Sequence, residues 1–165
     1  DQTKYSPIFA VFITLLIFIN FTLQYLFMKI SIIGYKESSV NIFASLAKEL
    51  SKKISGLELE ERFVPELEDI PEIALECTTE SDFVVVFALS EEKELVEQIK
   101  EKLIDVELKT KVRILKEIRD DSFSSLEEEY YLEEKDKLVE ELSQKIVDIL
   151  FNENAFEPED KEFGL

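Results

Sequence analysis

Phe83-Val84-Val85-Val86-Phe87-Ala88-Leu89 is the stretch from which the rest of the fold follows. It is too short for a buried helix and shows no alternation of apolar and polar positions, so it reads as a β-strand buried on both faces. A strand of that kind needs helices above and below its sheet. The chain supplies them. Val40, Phe43, Ala47, Leu50 and Ile54 recur at three- and four-residue steps, as do Leu95, Ile99, Leu103 and Val106, and then Leu138, Leu142, Ile146 and Ile149. Each set is the core-facing stripe of an amphipathic helix.

Between those stripes lie further strands. Lys29–Tyr35 is a first strand that ends near Gly34, and Ser38 or Ser39 is placed to cap the helix after it. Gly56 ends that helix. Leu57–Val64 is a second strand, a short helix runs roughly over Pro71–Thr79, and Asp82–Leu89 is the third strand and the sheet centre. Ser90 is placed to cap the next helix. Lys111–Ile118, more polar, is a fourth strand nearer an edge or facing a partner, and a last helix runs from Ser125 to Phe151. Tyr130-Tyr131 within it sets one ring on the core and one at the surface. Strict alternation of strand and helix predicts a parallel sheet with helices on both faces. The expected fold is a flavodoxin-like three-layer α/β/α sandwich with a four-stranded parallel sheet, spanning residues 28–152. An acidic tail, residues 153–165, follows, with Phe156 and Phe163 available for subunit contacts. Hydrophobic residues make up 45% of the 165, enough for a packed core.

Residues 1–27 are different in kind. From Pro7 to Phe27 there is no charged side chain, and the length suits a membrane anchor. A second reading is an over-extended start. Met28 is the only Met, the α/β pattern begins directly after it, and Phe, Ile, Leu, Asn and Tyr dominate the segment as they do when AT-rich noncoding DNA is translated. That second reading is the preferred one. It makes the protein cytoplasmic, with a membrane partner only if residues 7–27 are a real anchor.

Composition removes whole classes of chemistry. The formal charge is −18, all of it on residues 28–165, which repels phosphate backbones and argues against a nucleic-acid partner. There is no His, so imidazole bases, Ser-His-Asp triads and His-based metal sites are excluded within one chain. The single Cys, Cys77, forms no intrachain disulfide and offers no metal-ligand spacing. No P-loop, dinucleotide fingerprint or nucleophile elbow is present, and no cofactor is expected.

Ligands of open α/β sheets bind at the carboxyl ends of the strands. Those ends are Gly34–Ser39, Pro65–Pro71, Ser90–Glu94 and Ile118–Ser122. The second of them, within Val64-Pro65-Glu66-Leu67-Glu68-Asp69-Ile70-Pro71, is a strand-to-helix corner stiffened by two prolines. It carries Asp69 to the end of the sheet, where a carboxylate can orient a substrate or move a proton. The plainer role for Asp69 is to cap the helix that begins near Pro71.

This corner resembles that of the lumazine synthase superfamily, above all the archaeal-type riboflavin synthases, whose corner reads close to Val-Pro-Gly-Ile-Lys-Asp-Leu-Pro. Val64, Pro65, Asp69 and Pro71 match it, Leu67 and Ile70 are conservative, and Glu66 stands where the family has Gly. Asp82–Leu89 is similar to the family's Asp-Ile-Val-Met-Ala-Leu-Gly strand. The resemblance implies dismutation of two 6,7-dimethyl-8-ribityllumazine molecules to riboflavin at a subunit interface, in a homo-oligomer of the pentamer-ring type. By carry-over, Asp69 assists proton transfer at the activated methyl group. Tyr35 stacks on the ring, with Phe43 the less favoured aromatic, and Lys36, Glu66, Leu67, Glu68 and Ser90 complete the substrate site. Two alternatives stay open. One is lumazine synthesis from a ribitylaminouracil and a butanone phosphate, disfavoured by acidic Ser90-Glu91-Glu92-Lys93 where the family holds a phosphate. The other is a non-catalytic oligomeric member that binds a ligand or protein, suggested by the missing His and the missing corner Gly.

Overall fold

The computed structural model describes residues 6–152, and for 21–26 the backbone alone. The tail with Phe156 and Phe163, assigned above to subunit contacts, lies outside the described residues. The elements are α1 (Pro7–Leu26), β1 (Lys29–Tyr35), α2 (Phe43–Lys53), β2 (Glu58–Val64), α3 (Ile70–Thr78), β3 (Phe83–Leu89), α4 (Lys93–Thr110), β4 (Arg113–Arg119) and α5 (Glu128–Phe151). All pairings among the strands are parallel, in the order β2-β1-β3-β4. The sheet is the expected one, with β3 inside and β4 at an edge.

Every residue of β3 is buried because both faces of that strand are covered. Phe83, Val85, Phe87 and Leu89 point to a core shared with Leu46 and Leu50 of α2 and with Leu138, Leu142 and Ile146 of α5. Val84, Val86 and Ala88 point to a second core with Ala74 of α3 and Val96, Ile99 and Leu103 of α4. Three layers follow: α2 and α5, the sheet, then α3 and α4. Tyr131 packs on the first core, edge-on to Phe123 with ring centroids 5.7 Å apart, while Tyr130 is exposed.

Three helix starts differ from the serine and aspartate caps expected of them. α2 begins at Phe43 without a side-chain cap on Ile42, and Asn41 Oδ1 accepts the Phe43 N–H at 3.0 Å. Ser38 and Ser39 are used elsewhere: Ser38 Oγ accepts the Leu89 N–H at 3.0 Å, and Ser39 Oγ donates to Asp121 Oδ1 at 2.5 Å. α4 begins at Lys93 after uncapped Glu92, and its apolar stripe is led by buried Val96, with Leu95 only half-buried. α3 is preceded by a 3-10 turn over Leu67–Asp69, and the Asp69 side chain makes no cap hydrogen bond. At α2 a neighbouring side chain, Asn41, takes the first N–H while the serines serve tertiary contacts, and at α3 a tighter local turn leads into the helix.

α1 stands apart. Its described side chains, Pro7–Asn20, are all exposed, and none of them enters either core. Among the described residues no helix is long and apolar enough to cross a membrane.

Candidate functional site

A cavity of about 230 Å³ opens at the carboxyl end of β1, on the α2 side of the sheet. Its floor is Ile32 and Gly34, its walls are Phe43, Phe63 and Phe87, and its polar groups include Lys36, Asn41 and Glu61. The segment from Ser38 to Ile42 roofs it, because that segment is pinned at several points. The Lys36 N–H donates to the Val64 carbonyl at 3.1 Å. Ser38 holds the end of β3, Ser39 holds Asp121 after β4, and the Tyr131 hydroxyl donates to the Ser39 carbonyl at 3.3 Å. Asp121 is in turn fixed by its own N–H donating to Glu91 Oε1 at 3.1 Å. The loop ends of β1, β3 and β4 are thus one hydrogen-bonded unit.

Position 34 has no side chain, and the Phe63 ring packs over it. Gly34 and Phe63 are register partners, and a Cβ on Gly34 would lie 2.8 Å from the Phe63 ring. The ring occupies the space a larger residue would take. Leu59, Glu61 and Phe63 share one face of β2, where Leu59 packs against the first core, Glu61 is half-buried and Phe63 is exposed at the strand's end. Glu61 has no ion-pair partner among the described residues, and burial pushes its carboxyl above the usual carboxylate value. A carboxyl raised in this direction is better placed to exchange a proton with a ligand than an ordinary one. Glu61 was not among the residues expected from the sequence. The signal was present: a Glu in the apolar phase of a strand costs free energy unless it is used or paired.

Tyr35 borders the same cavity while packing on the second core, against the sheet face that holds Val64 and Leu67. Burial raises its phenol above the ordinary value, and the carboxylates of Glu37, Glu66, Glu92 and Glu68 raise it further. The structure therefore gathers Tyr35, Glu66, Leu67 and Glu68 at one corner, with Lys36 at the mouth of the cavity. Two residues stand outside this group. Asp69 is half-buried, its N–H donating to the Glu66 carbonyl at 3.2 Å, and it lines none of the described cavities. Ser90 lines a separate groove with Lys93, Arg119 and Asp120, and its Oγ accepts the Glu92 N–H at 3.1 Å. No cluster of metal-ligating side chains exists among the described residues.

Fold and cavity together define a parallel α/β sandwich with an aromatic-walled site at the carboxyl edge of its sheet. No protein-family model matches the chain, and no curated protein matches it.

Proposed function

We propose that the protein binds a ribityl-lumazine in the β1 cavity and acts as a riboflavin synthase of the archaeal type, the dismutation completed at an interface with a second copy. The observation that carries this reading is the cavity itself: three phenylalanines beside Ile32 and Gly34, with Glu61 and Lys36 as polar groups, next to the Val64–Pro71 corner. Aromatic walls suit a flat heterocycle, and a few convergent polar groups fix its orientation. A volume of about 230 Å³ is below that of most sites enclosing a whole ligand, which favours a second copy closing over the ribityl chain. The carboxylates around Tyr35 favour a neutral polyol over a phosphate, and so rank lumazine synthesis from a butanone phosphate lower.

Glu61 is assigned the proton-holding role at the ring, and Asp69 a part in setting the corner. The test is turnover of 6,7-dimethyl-8-ribityllumazine by the purified full chain, followed as riboflavin fluorescence. Glu61→Gln is expected to lower kcat by roughly 10²-fold or more while changing KM little, the size usual for removal of an acid–base group. Absence of riboflavin formation together with tight lumazine binding moves the assignment to the non-catalytic ligand-binding member, a reading favoured by Asp69 lying off the cavity wall. Absence of both binding and turnover removes the family assignment.

A further inference from the structure

We infer that α1 seats in the hydrocarbon of a lipid bilayer and tethers the α/β domain to the membrane surface. Ile8, Val11, Ile17 and Phe18 are 80%, 66%, 63% and 65% exposed. At about 100° per residue, Ile8, Phe12, Leu16, Ile13, Ile17, Phe18 and Val11 point in turn around most of the helix. A helix that docks on protein keeps one apolar stripe and one polar face, whereas one apolar on nearly all sides is buried on nearly all sides. The domain does not bury the described side chains of α1, none of which enters either core.

Within Pro7–Ile19 the polar side chain of α1 is also settled internally, as an apolar medium demands. Thr14 is the one polar side chain between Pro7 and Ile19, and its hydroxyl donates to the Ala10 carbonyl at 2.8 Å. At the start of the helix, Ser6 Oγ accepts the Phe9 N–H at 3.3 Å. Beyond Phe27 the chain changes abruptly, and residues 28–165 carry the whole charge of −18, which belongs in water. Lipid is the one occupant that covers a helix on all sides without a matching protein surface. Seating in lipid requires no crossing of it.

The chain has no Trp, so Phe12→Trp introduces a single reporter on α1. The full chain carrying it is reconstituted into phosphatidylcholine vesicles with and without bromine at mid-acyl positions. The expected result is blue-shifted emission, strong loss of that emission with the brominated lipid, and flotation with the vesicles that persists in high salt. Leu16→Lys is expected to weaken partitioning about a hundredfold, the cost of a cation at a helix centre, while Leu16→Ala still floats. The far-ultraviolet circular dichroism of both variants shows whether the domain stays folded. A chain that remains at the bottom of the gradient overturns the proposal, whether monomeric or self-associated. So does a chain that floats with emission indifferent to bromine, which is adsorption of the domain rather than insertion of α1.

Discussion

Gly34 and Glu117 show how single positions set the site and the stability. Gly34 leaves room for the Phe63 ring, whose nearest atom would lie 2.8 Å from an added Cβ. Gly34→Ala is expected to turn that ring outward and weaken lumazine binding, read by fluorescence quenching. The melting temperature should move little, because relief of the roughly 0.5–1 kcal/mol that a strand glycine costs offsets the displaced ring. Glu117, on β4, is only 6% exposed. Burial pushes its carboxyl up, but hydrogen bonds from Lys145 and Arg119 outweigh that and hold it below the usual value. A lowered folded-state pKa means a stability contribution that is complete above the unfolded value and lost as pH falls through the folded one. Glu117→Gln should cost about 2 kcal/mol near neutral pH, less than a fully buried pair because Lys145 and Arg119 keep partial contact with water. The difference from the native chain should shrink in acid, as urea unfolding at neutral and low pH will show.

At the scale of elements, the ends of the helices matter more than their middles. α4 stops where Lys111 takes a left-handed conformation, φ 61°, and its N–H donates to the Glu107 carbonyl at 2.9 Å. That arrangement is the one glycine normally provides, and a residue with a Cβ pays for it in strain. Lys111→Gly is therefore expected to raise stability by about 0.5–1 kcal/mol, measured by chemical denaturation. The same element shows where patterns in the sequence mislead. Ser90 looked like the cap of α4, and its Oγ does accept a nearby N–H, that of Glu92, but the helix starts at Lys93 and no side chain caps it. Ser38 and Ser39 likewise serve the loop unit at the sheet's end rather than α2. A short hydroxyl side chain signals that some local backbone group will be bound, not which one.

For the molecule as a whole, α1 and the sandwich are expected to be separable in energy. No described side chain of α1 enters either core. A chain begun at Met28 should melt, by calorimetry, at the same temperature as the full chain. A fall of several degrees would mean that α1 contributes packing to the domain, since about 1 kcal/mol shifts the melting temperature of a domain this size by roughly 2–6 °C.

The sandwich itself was legible in the residues. Apolar period and length decide whether a segment can be a strand covered on both faces, and strict alternation with helical stripes leaves few topologies. Phe83–Leu89, the paired prolines of the corner and the stripe through Leu138, Leu142 and Ile146 were enough to place β3 inside a parallel sheet. The cavity's place at the end of β1 was legible in Gly34–Ser39, but its walls were not, because they come from residues far apart in sequence. Only the β1–β2 register sets Phe63 over Gly34 and Glu61 beside Ile32. Only packing across the sheet's end joins Ser38 to Leu89 and Ser39 to Asp121. Local periodicity reports which face a side chain takes. Which distant side chain meets it there depends on register and loop packing, and those are decided when the whole chain closes on its core.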